Sequence, residues 1–316
     1  MPIEPPSWVK YRLSLNENLF IPRSFVEKIV ERAIREVDVR LYHDPFGEEL
    51  AERLAEFHGV DKDEIIIGPG SDSLIRLLAL EAMNRLAVII EPTFEEYRRD
   101  VETLNGKVKE ILLDEDFSFR PEDVYSIDAS IVFLASPNNP TGNQYERSIV
   151  LEVAEKFKGI VVVDEAYAEY APYTLIREAS SYDNLIVLRT FSKAWGLAGL
   201  RVGYAVANRS LIRRLREKFT VFTTSSLSLR VACLMLDYWN QVRMWVEEAK
   251  KIRSWLRERL LRLGLQPYPS DASFILVRFP FDPKALLDRL IKRGFALRYY
   301  GDKPLLENCL RITVPP

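Results

Sequence analysis

Residues 190 to 204 read TFSKAWGLAGLRVGY and follow the apolar run LIVL at 185 to 188. Thr190 and Ser192 crowd Lys193, and Arg201 follows among glycines and small residues. A lysine amine leaving a core can act as a nucleophile, while hydroxyls beside a guanidinium can hold an anion. Three other apolar runs end in comparable chemistry. IIIG is followed by GPGSDS, where Gly70 lets the backbone approach a ligand and Ser71 and Asp72 open a helix with free N–H groups. IVFLA is followed by SPNNPTG, a stiff turn that can aim the Asn139 amide back over the sheet end. IVVV ends in Asp164, with Tyr167 three residues on; a carboxylate there is costly to desolvate unless a cation meets it.

Each feature alone is compatible with ordinary turn, cap or strand-end chemistry. Together they fall on one sheet edge, and the set suits pyridoxal phosphate. The cofactor needs a lysine for its Schiff base, an acid at its pyridinium nitrogen, hydroxyl and amide donors at its phenolate, and an anion cradle for its phosphate. GPGSDS lacks the GxGxxG spacing, which disfavours a dinucleotide site.

The elements that must position these residues read as an α/β protein. Between about 60 and 208, aliphatic runs at 64–68, 87–92, 108–114, 130–137, 159–167, 184–190 and 201–208 alternate with helix-period segments at 71–82, 94–104 and 145–157. Several runs are apolar on both faces, as in a parallel sheet covered by helices on both sides. After Asn208 come a helix at 210–219, a long periodic segment at 227–262, the run 272–280, a helix at 283–292, GFALRYY and LRITV. These imply a smaller α+β unit, joined by the N-terminal region with its amphipathic helix at 24–37. The expected domains are a large cofactor-binding one, 39–221, and a small one formed by 1–38 and 222–316.

The motifs resemble those of the fold-type I pyridoxal-phosphate enzymes, in the class I/II aminotransferase branch, and most closely the histidinol-phosphate aminotransferases. The resemblance runs in order through NEN (16–18), YHDP (42–45), GPGSD, EPTFEEY, ASPNNPTG, VVVDEAYAEY, RTFSKAWGLAGLRVGYA, SDASFILVRF, GFALRYY and CLRITV. It implies a large domain built on a mostly parallel seven-stranded sheet between helices, with a smaller α+β domain beside it. By the resemblance, Lys193 carries the Schiff base, Asp164 pairs with the pyridine nitrogen, and Tyr167 and Asn139 bond the phenolic oxygen. The phosphate is expected on Gly70, Ser71, Asp72, Thr190, Ser192, Arg201 and Tyr42 of the partner subunit. Phe94 is expected on the ring face, where the family often has tyrosine. Asn18, Arg298 and Arg311 are expected at the substrate, the arginine pair suiting a phosphate-bearing or dicarboxylic molecule.

The implied reaction is ping-pong transfer of an amino group from a small amine, histidinol phosphate above all, to 2-oxoglutarate, in a homodimer with shared active sites. Rival readings on the same scaffold are a threonine-phosphate decarboxylase or an aromatic or acidic amino-acid aminotransferase. A noncatalytic binding protein sits poorly with so complete a set of Lys, Asp, Asn, Tyr and Arg. Two departures stand out. The family's NENPxGPS is here NENLFIPRS, and relatives usually continue beyond the last strand, where this chain ends at LRITVPP.

Composition excludes other classes. With 44 Lys and Arg against 46 Asp and Glu, the net charge of -2 offers no field for nucleic acid or an anionic membrane. No run approaches the roughly 20 apolar residues of a membrane helix, and MPIEPPSWVKYRL lacks a signal core, so a cytoplasmic protein is expected. Cys233 and Cys309 are far apart and form no metal-ligand spacing. Of the two histidines, His43 and His58, the second lies on a helix-like stretch and reads as an ordinary surface or core residue.

Overall fold

The computed structural model describes residues 8–301 and 303–316. Seven strands form one sheet in the order 65–68, 203–206, 185–190, 160–164, 131–135, 86–91 and 107–112. Only strand Gly203–Val206 runs antiparallel to its two neighbours. The other pairings are parallel. Their alternate residues feed two separate cores. Ile65, Val88, Val132, Val161 and Val187 enter one, while Ile66, Ile89, Phe133, Val162 and Ile186 enter the other. The near-continuous aliphatic runs in the sequence are therefore two interleaved period-2 faces, each covered by helices. Strand Lys107–Leu112 is the exception: it lies at the sheet edge, largely exposed, and carries charges that oppose edge-to-edge pairing.

A second sheet of four strands, 298–299, 309–313, 274–278 and 266–267, packs around Leu260, Ile275, Val277, Phe279, Leu287 and Leu310. Its helices are Trp239–Arg262 and Lys284–Lys292. The N-terminal region joins this part: Tyr11–Arg12 pairs with Phe295–Ala296, and Phe25 of helix Arg23–Glu36 packs edge-on against Tyr238 and Trp245.

One element differs from expectation. The periodic segment 227–262 is two helices, Ser226–Leu236 and Trp239–Arg262, separated at Asp237 and Tyr238. Ser225 caps the first through its side chain, and that helix is buried almost all round, whereas the second buries only one stripe. The helix-like stretch at His58, for which the sequence set no bounds, is a full helix, Glu48–His58, set between Gly47 and Gly59, both in the left-handed region, with Leu50, Ala51, Leu54 and Ala55 as its buried stripe.

Candidate active site

A cavity of about 210 Å³ opens at the carboxyl ends of strands 131–135, 160–164 and 185–190. This is where an α/β sheet places ligands, because the loops leaving the strand ends diverge there. Asp164 is the last residue of its strand. Its Oδ2 accepts the Tyr97 hydroxyl at 2.7 Å and its Oδ1 accepts the Ala166 N–H at 3.0 Å. Burial pushes this carboxyl up to about 6, and the two hydrogen bonds work against that rise. Among the described residues Asp164 forms no ion pair. Its hydrogen-bond donors are neutral, and the Lys193 charge across the cavity also favours the ionised form.

Lys193 reaches the same cavity from the loop after strand 185–190. Its Nζ donates to the Leu15 carbonyl at 3.0 Å and stands 5.8 Å from the Tyr167 ring centroid. The anion cradle lies beside it. Arg201, at a φ of 52°, donates to Ser192 Oγ at 3.2 Å and to Asp72 Oδ2 at 2.5 Å. Thr190 Oγ1 accepts the Ser192 N–H at 3.1 Å. Helix Ser71–Ala79 begins with no side-chain cap, so its first N–H groups remain for an anion. Gly70 is required at its start: φ is 78°, and a Cβ there would lie 2.4 Å from Arg201 Nη2.

The outer wall comes from distant parts of the chain. Asn139 Oδ1 closely accepts Arg311 Nη1, and Arg311 Nη2 donates to the Ser14 carbonyl. With its acceptor engaged, the Asn139 amide keeps N–H donors for the cavity. Asn16 Nδ2 donates to the Tyr167 hydroxyl at 2.8 Å, and Thr313 fixes Asn16 by donating to its Oδ1 at 2.9 Å. The Tyr167 oxygen accepts there, which leaves its proton to be donated elsewhere. Arg298 faces Glu95 at 3.4 Å and lies 5.6 Å from the Tyr300 ring centroid. Phe94 lines the cavity and meets Tyr97 edge-on, with centroids 5.6 Å apart.

One expected residue is placed otherwise. Asn18 does not line the cavity: its amide donates to the Ala194 carbonyl at 2.7 Å and its Oδ1 accepts Phe20 N–H at 3.1 Å. It pins the N-terminal segment to the loop of Lys193, so its action on a substrate is indirect. Tyr42, expected at a partner's cradle, lies outside this chain's own cavity. It is 87% exposed and rests against Phe222, with centroids 5.0 Å apart. Sequence reading missed Tyr97, Asn16, Glu95 and Tyr300, all of which line the cavity. Tyr97 carried a usable signal, because EPTFEEY directly follows the strand 86–91.

Residues 9–316 match the sequence model of the family described as Aminotransferase class I and II. This chain belongs to that family. It is 35% identical over 319 residues to a histidinol-phosphate aminotransferase of Ruminiclostridium cellulolyticum, covering 96% of this chain and 88% of the relative. The corresponding enzyme of Thermococcus gammatolerans is 37% identical, covering 96% and 87%. Among solved structures, the histidinol-phosphate aminotransferase from Sinorhizobium meliloti in complex with pyridoxal-5'-phosphate superimposes with a TM-score of 0.91 at 26% identity, covering 99% of this chain and 90% of that one. The architecture of this aminotransferase is thus fold type I.

Directly beneath the cavity the aminotransferase holds a buried ion network. Arg189 donates to Glu169 Oε1 at 2.6 Å and to Glu165 Oε2 at 3.3 Å, with all three side chains at most 6% exposed. Trp195 Nε1 donates to the same Glu169 oxygen at 3.1 Å, and Leu175 N–H to Glu165 Oε1 at 2.6 Å. Each member is a near neighbour in sequence of a cavity residue: Glu165 of Asp164, Arg189 of Thr190, Trp195 of Lys193. The network therefore ties two strand ends and the lysine loop together. Packed beside it, His58 is buried and hydrogen-bonded to the Tyr204 hydroxyl at 2.7 Å. Burial, with Arg189 and Arg177 adding to it, drives its pKa down to about 3, so it is a neutral core residue.

Proposed function

We propose that this aminotransferase moves the amino group of histidinol phosphate to 2-oxoglutarate with pyridoxal phosphate as its cofactor. The observation that carries the reading is the buried Asp164 carboxylate, supplied with neutral donors only and facing Lys193 across one cavity. A site so arranged suits a ligand bearing a cationic ring nitrogen. The cradle fits the ligand's other end: Ser71 and Asp72 N–H groups, Thr190, Ser192 and Arg201 offer donors, and Gly70 leaves the space a Cβ would fill.

When bound, pyridoxal phosphate supplies an electron-accepting ring and a carbonyl that holds amines. The chain's own residues do the rest. Asp164 would keep a proton on the ring nitrogen, the Tyr167 hydroxyl and the Asn139 amide would donate to the phenolic oxygen, and Phe94 would cover the ring. Lys193 would hold the cofactor's carbonyl, and its free Nζ would take the proton from the substrate α-carbon and return it. Arg311 and Arg298 bind the substrate's anionic groups, their planar forks matching carboxylate and phosphate oxygens. Segment 14–18 forms the outer wall over Lys193 and Tyr167.

The identities to named histidinol-phosphate aminotransferases support this substrate over an aromatic or acidic amino acid. The test is a panel of amino donors with 2-oxoglutarate. Turnover is expected with histidinol phosphate and only with a 2-oxo acid present; release of CO2 without one would overturn the reading in favour of a decarboxylase. We further propose a cytoplasmic homodimer, with residues 39–221 as the large domain and 1–38 with 222–316 as the small one. No helix among the described residues is long and apolar enough to cross a membrane. Tyr42 projects from a surface where Val39, Leu41 and Phe222 are also exposed, which supports its assignment to a partner's phosphate cradle. A fully active monomer in solution would remove that assignment.

A further inference from the structure

Glu95 lies in the turn between strand 86–91 and helix Glu96–Thr103, on the rim of the cavity. Two cations converge on its carboxylate, Arg298 from the far wall and Lys303 from just outside the cavity lining. Arg298 Nη2 lies 3.4 Å from Oε1 and 3.5 Å from Oε2, and Lys303 Nζ is in close contact with Oε1. These partners are 203 and 208 residues away in sequence, so nothing local forces the contact. The cluster is accessible: the side chains of Arg298, Glu95 and Lys303 are 21%, 40% and 45% exposed. A carboxylate gripped by two cations beside a substrate cavity has the chemistry of a filled anion subsite.

We propose that Glu95 is a resident anion, displaced by the phosphate or carboxylate of the incoming substrate, and that Lys303 then joins Arg298 as a second cation on that group. The inference rests on reading Arg298 as a substrate-binding arginine. Because Glu95 is on the rim, it returns to water when displaced. Its release lowers the affinity of every anion that uses the subsite by the same factor, in the way any competing minor or major state does. The substrate-free enzyme thus keeps Arg298 and Lys303 on an internal carboxylate instead of on stray anions. A purely positioning role for Glu95, holding Arg298 ready for the substrate, has the opposite sign, since its removal would then weaken anion binding.

The experiment uses the cofactor-loaded enzyme and inorganic phosphate as the probe, followed by titration calorimetry and by competition against the amino donor. Glu95→Gln is expected to tighten phosphate roughly threefold to tenfold, the range for two partly exposed ion pairs, and to lower the donor KM similarly. The gain should shrink as ionic strength rises. Lys303→Gln should weaken phosphate more in the Glu95→Gln background than in the wild type, because only there is the lysine's contact with phosphate uncompensated. Phosphate binding that is unchanged or weaker in Glu95→Gln overturns the proposal, as does an equal effect of Lys303→Gln in both backgrounds. If phosphate tightens as expected while no form turns over histidinol phosphate, the resident-anion inference stands and the substrate assignment fails.

Discussion

The inner and outer walls of the cavity are built on opposite principles. The inner wall, Asp164, Thr190, Ser192 and Lys193, sits at or just past the ends of buried strands and is backed by the Arg189 ion network. The outer wall, Asn16, Glu95, Arg298 and Arg311, is stitched by side chains that hold one another across large sequence gaps. The inner wall has a fixed shape and a carboxylate hydrogen-bonded by neutral donors only; the outer wall has its cations held by exchangeable partners. Rigid support suits a cofactor that stays through both half-reactions, and exchangeable pairing suits substrates that must leave.

The largest effect should fall on the inner wall. Lys193→Ala removes both the covalent anchor and the proton carrier, and turnover is expected to drop roughly 10⁴-fold or more, about 5.4 kcal/mol of barrier. Borohydride should fix the cofactor to the wild type and not to this variant. An outer-wall substitution with a comparable loss would erase the division of labour. Next comes Arg189→Met, which touches no ligand. It leaves Glu165 and Glu169 buried without their cation, and unfolding of the cofactor-free chain should show a loss of about 3–5 kcal/mol. A loss below about 1 kcal/mol would mean that the network does not support the wall.

The same contrast decides what the sequence made legible. Seven aliphatic runs mark seven strands, and because ligands gather at strand ends, Asp164, Lys193 and Asn139 could be picked from position alone. The outer wall has no such marker. Asn16 meets Tyr167 across 151 residues and Arg311 meets Ser14 across 297, contacts that arise only once the N-terminal segment is laid along strand 309–313 and over the large sheet's end. Asn18 illustrates the limit: it belongs to the same NEN motif as Asn16, yet two residues further on the side chain turns to the Ala194 carbonyl. The break at Asp237 and Tyr238 was hidden for a related reason, since apolar periodicity continues through it while the burial changes from all-round to one-sided.

On the outer wall, Arg311→Lys keeps the charge and loses the fork. The guanidinium holds the Asn139 amide oxygen and the Ser14 carbonyl together, and one ammonium cannot replace that planar geometry toward a substrate carboxylate or phosphate as well. We expect kcat/KM to fall roughly 100-fold, about 2.7 kcal/mol, for donor and acceptor alike. A change confined to one substrate would show that the outer wall is divided between them.

The smallest effect returns to Asp164 and is visible only through pH. Its folded-state pKa is raised to about 6, so the group contributes stability that is fully present below the unfolded value and is lost as pH rises through about 6. The Tyr97 hydroxyl bonds the charged form and limits that loss. Tyr97→Phe should therefore move the titration upward and cost the cofactor-free chain about 1.5 kcal/mol at pH 8, where the carboxylate is ionised. At pH 5, with the carboxyl protonated, the difference should shrink. Urea midpoints at the two pH values, with the Asp164 carboxyl carbon followed by NMR, make the comparison. Equal destabilisation at both would assign Tyr97 a packing role alone. A pH-dependent difference that cofactor binding then reduces would identify the inner wall as a site held ready for a cation, because a protonated ring nitrogen would stabilise the same carboxylate that Tyr97 now serves.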